Sequence, residues 1–192
     1  MRLILGSGSK WRQQVLRSLG LDFEILAPGI DEKAIRNDDP EALTLALARA
    51  KAAALKPLVT GDAIILTSDQ VVVQSGEILE KPLNEVEARL RLETAASAPI
   101  ETVSAIIATD AATGREAWGI DRVGVVMRPL PPEVIDALIK EGNVYHCAGG
   151  FQIEHPLVVP YVASIDGEIE SVMGLSPRLT RRLLRELGFP GI

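Results

Sequence analysis

The sequence predicts an α/β fold with a mixed central sheet flanked by helices. Segments rich in β-branched residues alternate with segments whose apolar residues recur at helical spacing, which is typical of α/β proteins. Two pairs of strand segments are separated only by short turns, at Ser75-Gly76 and at residues 110–114, so part of the sheet is expected to be antiparallel. No repeat, low-complexity tract or long linker interrupts the pattern, and residues 1–192 are therefore expected to form one domain.

The chain is expected to begin with a short strand, a glycine-rich loop and a helix. Residues 3–5 are apolar, residues 6–9 are glycine and serine, and helical spacing then extends to Gly20. The remaining strand segments are β-rich stretches bounded by turn residues: residues 23–26, 63–67, 71–73, 102–108, 117–126 and 156–165, the last interrupted by Pro160.

The later helices are predicted from their start signals. Asp39 stands as an N-cap before Pro40 at the first helical position, and this helix is expected to reach about Leu55. Asn84 precedes Glu87 at the spacing of a capping box. The apolar residues of the Asn84 helix include Val86, Leu90 and Leu92. The last two helices begin at residues 131–133 and 176–177 and end at Gly142 and Gly188.

Composition and charge exclude several classes of protein. No apolar run approaches the ~18 residues of a membrane-spanning helix, and the first apolar residues are too few for a secretory signal. The single cysteine, Cys147, excludes an internal disulfide and suits a reducing cytoplasm, which is the expected location. The net charge of −6 argues against a nucleic-acid polymer as partner, whereas a small anionic ligand needs only a few local cations.

The loop from Gly6 to Arg12 is the first candidate for function. Its glycines allow a sharp bend, and the helix that follows presents free N–H groups and a positive dipole end to an anion. Ser7, Ser9, Lys10 and Arg12 add hydroxyl and cationic groups. The alternative is an ordinary turn in which Ser9 is a plain N-cap and Arg12 is solvated.

Asp69 is the second candidate, because an acidic residue within so apolar a stretch is costly to bury without compensation. A carboxylate at a strand end can hold a metal ion or orient a water molecule. The alternative is an exposed turn, where aspartate is common. Lys51 and Lys81 could reach a phosphate group, although a solvated surface lysine is the alternative for each.

Residues 146–156 contain both histidines and Cys147. A cysteine nucleophile is conceivable but unfavoured, since His146 is adjacent in sequence, and no standard spacing predicts a zinc site. The alternative is a glycine-bend loop in which Cys147 packs as a small hydrophobic residue. Glu154 is the residue of this segment kept as a candidate.

Taken together, these segments resemble the Maf family of nucleotide pyrophosphatases, also described as septum formation inhibitor Maf-like proteins. The resemblance extends from Leu3 to Gly188. The matching motifs, in the family's order, are at residues 7–12 (S-x-S-x-x-R), 30–32 (I-D-E), 51 (lysine after an Ala-rich stretch), 68–70 (S-D-Q), 81–82 (K-P), 148–154 (the A-G loop) and 172–175 (V-x-G-L).

The resemblance implies an elongated, two-lobed α/β fold with a central cleft, similar to ITPases, and a homodimer. It also implies hydrolysis of a nucleoside triphosphate to the monophosphate and pyrophosphate, with Mg²⁺ or Mn²⁺ as cofactor. Asp69 would be catalytic, and Asp69 with Glu32 would hold the metal. The implied substrate-binding residues are Ser7, Ser9, Arg12, Lys51, Lys81 and Glu154.

The base of the substrate is left open by the resemblance. The A-D-T branch of the family prefers dTTP and UTP, and the S-D-Q branch, which residues 68–70 resemble, is associated with 7-methyl-GTP. Other stretches of the chain resemble plant-type relatives, and Glu154 stands near a position where many members have glutamine.

Two functions of other classes compete with the enzyme. A nucleotide-sensing regulator of cell division would keep Arg12, Lys51 and Lys81 but would need no water-activating acid, so Asp69 and Glu32 favour the enzyme. A structural or interaction protein would present an exposed apolar stripe, and the sequence predicts none beyond ordinary core faces.

Overall fold

The chain folds around a mixed seven-stranded sheet, seen in a computed structural model that describes residues 1–150 and 152–192. The strands are β1 (Arg2–Leu5), β2 (Glu24–Ile25), β3 (Ala63–Gln74), β4 (Glu77–Leu79), β5 (Ile100–Asp110), β6 (Glu116–Met127) and β7 (Val162–Asp166). Their order is β2-β1-β3-β5-β6-β7, and β4 pairs with β3 outside this series. β1 is parallel to β2 and β3, whereas β3–β4 and β6–β7 are antiparallel, which confirms the predicted mixed α/β class.

The α-helices of the described residues are α1 (Lys10–Ser18), α2 (Pro40–Leu55), α3 (Glu85–Thr94), α4 (Pro132–Glu141), α5 (Ile169–Val172) and α6 (Pro177–Glu186). The predicted N-cap residues Asp39 and Asn84 make the expected hydrogen bonds. Asp39 accepts a hydrogen bond from the backbone of Ala42, and Asn84 accepts one from Glu87. Helix α4 ends at Gly142 with φ of 80°, a left-handed conformation that glycine adopts without strain.

The chain divides into two compact units. The first comprises residues 1–70, 103–121 and 170–192, and the second comprises residues 71–102 and 122–169. Strands β3, β5 and β6 contribute residues to both units. A single domain over residues 1–192 stays a prediction.

In the first unit, both faces of the sheet are buried. Leu3, Leu5, Ile64 and Leu66 pack on one face with apolar residues of α1 and α6. The alternate residues Ile4 and Ile65 pack on the other face with Leu55 of α2. Because successive strand residues point to opposite faces, burial on both sides explains the unbroken apolar runs of β1 and β3.

The second unit has a core of its own, in which α3 packs against α4 and β6 pairs with β7. Its buried apolar residues include Leu92 of α3 and Leu138 of α4. No helix among residues 1–150 and 152–192 is both long and apolar enough to cross a membrane.

Several expectations from the sequence are corrected. Residues 63–67 and 71–73 belong to one continuous strand that runs through Asp69. The segment predicted as a strand from residue 156 is extended only from Val162, because Pro160 lies in a 3₁₀ turn.

Two of the apolar residues named for α3 are exposed. Val86 and Leu90 are 78% and 58% exposed, and the nearby Leu83 is 87% exposed. An exposed apolar stripe, which the sequence did not predict, therefore lies along this helix.

Candidate active site

Gly6 places the first loop close to β3. Its N–H donates to the carbonyl of Leu66 at 2.8 Å, which continues the parallel pairing one residue beyond β1. A Cβ at this position would lie 2.6 Å from both Leu55 Cδ1 and Thr67 Cγ2. Only glycine therefore lets the loop pass so close to α2 and β3.

The loop ends as the amino terminus of α1. Ser9 is the N-cap, and its Oγ accepts a hydrogen bond from the N–H of Arg12 at 3.4 Å. Ser7 is buried, and its Oγ accepts from the N–H of Ser9 at 3.2 Å. The first N–H groups of the helix have no partner within it and point outward with the positive end of the dipole, which favours an anion.

The guanidinium of Arg12 is held by hydrogen bonds to the protein rather than solvated. Its Nε donates to the carbonyl of Gly174 at 3.1 Å, and its Nη1 donates to the carbonyl of Ser68 at 2.8 Å and to Ser7 Oγ at 3.3 Å. Burial lowers the pKa of Arg12 from its ordinary value, and the charges of Asp69 and Glu32 partly offset this effect. The reading of Arg12 as a solvated residue is thus wrong.

Two carboxylates share the ammonium group of Lys51. Lys51 Nζ lies 2.6 Å from Asp69 Oδ1 and 2.9 Å from Glu32 Oε1. Asp69 and Lys51 are only 7% and 5% exposed, so the readings of an exposed turn aspartate and a surface lysine are wrong. Burial raises the pKa of Asp69, although Lys51 and Arg12 oppose the shift, and Glu32 adds to it.

The fold brings these three groups together through simple spacings. Thr67 Oγ1 donates to the carbonyl of Ala48 on α2 at 2.9 Å, which anchors that face of β3 to the helix. Asp69 lies two residues further along the strand, hence on the same face, and Lys51 lies three residues further along the helix. Glu32 begins a short 3₁₀ helix whose first turn is capped by Asp31, which accepts from the N–H of Lys33.

Lys81 and Glu154 belong to the second unit. There the K-P and A-G motifs meet, since the N–H of Gly149 donates to the carbonyl of Glu80 at 3.2 Å. Lys81 is exposed and Glu154 is partly buried. Phe151, within the same predicted loop, lies outside the described residues.

Cys147 does not have the environment of a nucleophile. Burial raises the pKa of its thiol, the charge of Glu154 raises it further, and Lys81 lowers it to a smaller extent. A reactive cysteine needs a lowered pKa, so this environment supports the reading of Cys147 as a small packing residue.

Comparisons with known proteins show the family of this chain. A sequence model described as Maf: Maf-like protein matches residues 2–187. The chain belongs to the Maf-like family. It is 41% identical over 192 residues to a "7-methyl-GTP pyrophosphatase" of Dictyostelium discoideum, with 96% of each chain covered. It is 35% identical over 189 residues to a "Nucleoside triphosphate pyrophosphatase" of Streptomyces coelicolor, with 97% of this chain and 91% of that protein covered.

A solved structure is also similar to this Maf-like chain. It is described as a "Nucleoside-triphosphatase / dITP/XTP pyrophosphatase" from Mycobacterium abscessus, and it is 16% identical with a TM-score of 0.41. The match covers 76% of this chain and 96% of that chain.

The acidic side chains of this Maf-like site suit a magnesium-type ion. Among residues 1–150 and 152–192, no group of three or more His, Cys, Asp or Glu side chains could hold a metal ion. Glu32 and Asp69 nevertheless gather oxygen ligands around one cation, the ammonium of Lys51. Mg²⁺ is commonly held by one or two carboxylates together with substrate phosphates and water, so the pair fits such an ion.

Sequence reasoning missed the residues that support this Maf-like site from the other face of β3. Ser68 Oγ donates to the carbonyl of Gly174 at 3.2 Å, and Gln70 Nε2 donates to the carbonyl of Val172 at 3.0 Å. Ser68 and Gln70 are the immediate neighbours of Asp69 in the chain. Because successive strand residues point to opposite faces, a prediction of residues 68–70 as strand would have placed both on the face opposite Asp69.

Proposed function

We propose that this chain hydrolyses nucleoside triphosphates to the monophosphate and pyrophosphate. The proposal rests above all on the cluster in which buried Lys51 bridges the buried Asp69 and the exposed Glu32. Arg12 lies within electrostatic reach of both carboxylates. The names of two relatives that match almost the full chain, both pyrophosphatases, support it.

The amino terminus of α1 and the cations would bind the polyphosphate. The first N–H groups of α1, the hydroxyls of Ser7 and Ser9, and the guanidinium of Arg12 form one polar loop in the first unit. Such groups stabilise negative charge that grows on the phosphate oxygens in the transition state. Lys51 would move from the carboxylates to the phosphates when a divalent cation takes its place.

Glu32 and Asp69 would hold that Mg²⁺ or Mn²⁺ ion, which when bound offsets the charge of the triphosphate and aligns its oxygens. The remaining chemistry needs a base. Asp69 is the buried carboxylate of the cluster, and in the metal-free protein burial raises its pKa above the ordinary value. Asp69 would accept a proton from water as the water oxygen bonds to the α-phosphorus. The bond from that phosphorus to the bridging oxygen then breaks, and pyrophosphate leaves.

Lys81 and Glu154 are proposed as further substrate contacts, with Lys81 on a phosphate and Glu154 near the base. A 7-methylated guanine carries a positive charge, which a carboxylate such as Glu154 favours. Because a relative at 41% identity is named for 7-methyl-GTP, we place this nucleotide first among the substrates. A panel that also contains GTP, dTTP and UTP tests this choice by the ratio of kcat/KM values.

The decisive experiment measures pyrophosphate release by the wild type and Asp69→Asn. Loss of a positioned base or ligand should lower kcat by ~10²-fold or more. Asp136→Asn is a matched control, because Asp136 is an exposed carboxylate that pairs with Arg89. An unchanged rate in Asp69→Asn would remove Asp69 from the mechanism. Triphosphate binding by the wild type without product would favour the nucleotide-binding regulator instead.

A homodimer and a cytoplasmic location stay inferences from the resemblance and the composition. Light scattering coupled to size-exclusion chromatography tests the first, since a dimer would give about twice the 20.6 kDa of one chain.

A further inference from the structure

The two faces of β3 around Asp69 contact different parts of the protein. Thr67 and Asp69 face α2, where they contact Ala48 and Lys51. Ser68 and Gln70, at alternate positions, contact residues 171–174 instead. The same strand therefore carries the buried acid on one face and a set of polar donors on the other.

Those donors hold the backbone of residues 171–174. Gln70 Nε2 donates to the carbonyl of Ser171 at 3.3 Å and to that of Val172 at 3.0 Å. Gly174 accepts from Ser68 Oγ at 3.2 Å and from Arg12 Nε at 3.1 Å. The segment thus links Gln70 to Arg12 without direct contact between their polar groups.

Gly174 makes this close approach possible. Its φ of 111° lies in a region that other residues rarely adopt. A Cβ there would lie 3.1 Å from Gln70 Oε1 and 3.3 Å from Arg12 Nε. The side chains of Gln70 and Arg12 therefore lie against the same glycine.

The contacts of Arg12 determine which of its atoms can reach a ligand. Nε and Nη1 donate to Gly174, Ser68 and Ser7, whereas Nη2 has no hydrogen-bond partner in the part of the chain that the structure describes. Because a guanidinium is a rigid plane, fixing two of its nitrogens fixes the direction of the third.

We propose that Gln70 is a positioning residue that acts through residues 171–174 to orient Arg12 for binding the polyphosphate. This inference rests on the proposed function, in which Arg12 binds phosphate. Gln70 itself contacts no reacting atom. Its amide keeps two carbonyls in place, and the carbonyl of Gly174 in the same segment then receives Nε of Arg12.

The test uses Gln70→Met, which keeps the length and neutrality of the side chain but removes the donor. Binding is measured by calorimetry with inorganic tripolyphosphate and Mg²⁺, a probe that needs neither a base nor turnover. The loss of two hydrogen bonds to the segment is expected to weaken tripolyphosphate binding about tenfold. With the preferred nucleotide, KM should rise by a similar factor while kcat changes less than about threefold.

The chain offers a matched control on the same strand. Gln74 Nε2 also donates to backbone carbonyls, those of Thr94, Ala95 and Ala98, all within the second unit. Gln74→Met should lower the melting temperature as Gln70→Met does, but it should leave tripolyphosphate affinity unchanged.

A double-mutant cycle with Arg12→Lys decides whether Gln70 acts through Arg12. If it does, Gln70→Met should change tripolyphosphate affinity less than twofold in the Arg12→Lys background. Equal effects in both backgrounds, or unchanged affinity in Gln70→Met alone, would overturn the inference. Wild-type protein that binds tripolyphosphate but releases no pyrophosphate would overturn only the proposed function, whereas wild type that fails to bind it would overturn both.

Discussion

Replacing Lys51 by methionine removes the ammonium that lies 2.6 Å from Asp69 and 2.9 Å from Glu32. The two contacts contribute unequally to the free energy of unfolding. Asp69 is buried, and breaking one side of a buried ion pair costs about 3–5 kcal/mol because the other charge is left uncompensated. The side chain of Glu32 is 56% exposed, so its contact contributes little.

The expected loss is about 3 kcal/mol at pH 8, near the lower end of that range, because Arg12 also interacts with Asp69. For a chain of this length, each kcal/mol lowers Tm by about 2–4 °C, so the fall should be about 6–12 °C. Circular dichroism during thermal and urea unfolding measures both quantities. Lys140→Met, which replaces an exposed helical lysine, is the control and should change Tm little.

The effect should depend on pH with a definite sign. The folded-state pKa of Asp69 is raised above that of the unfolded chain, so between the two pKa values the folded state binds more protons. Stability from this group is then present at low pH and is lost as pH rises through the folded pKa. Lys51→Met should raise that pKa further, so its destabilisation should be smaller at pH 5 than at pH 8.

Asp69→Asn in the Lys51→Met background should recover much of the lost stability, because no buried charge is then left unpaired. A Lys51→Met protein no less stable than Lys140→Met, or a double variant in which the two losses simply add, would refute the assignment of Lys51 as the counter-ion of buried Asp69.

Two further predictions concern the loop and the cation. Gly6→Ala should destabilise the fold by about 1–3 kcal/mol in urea unfolding, because its Cβ would lie 2.6 Å from Leu55 and Thr67. Gly8→Ala, with nothing within 4 Å of the new Cβ, should change unfolding little, and equal losses in the two variants would contradict the steric reason. Chelation by EDTA should abolish pyrophosphate release but leave Tm of the nucleotide-free protein unchanged, because Lys51 and Arg12 already offset the charges of the two carboxylates. Full activity in EDTA would exclude the metal.

Local signals in the sequence were sufficient for most of the secondary structure. Asp39 and Asn84 accept the hydrogen bonds that their cap positions predicted, since a cap depends only on neighbours two or three residues away. The exposure of Val86 could not be predicted in the same way, because an apolar residue is buried only where another element covers it.

The α/β class, the family and the chemical types of the site residues can be predicted from the amino-acid sequence, because they follow from local spacing and from motifs in order. Two pairings emerge only from the folded chain: Lys51 neutralises Asp69, and Arg12 is held by Gly174, 162 residues away in the chain. In the folded chain, residues 68–70 also belong to one continuous strand, with Asp69 on one face and Ser68 and Gln70 on the other. The physical reason is that partners of a buried charge are selected by packing and desolvation, which depend on distance in space rather than along the chain.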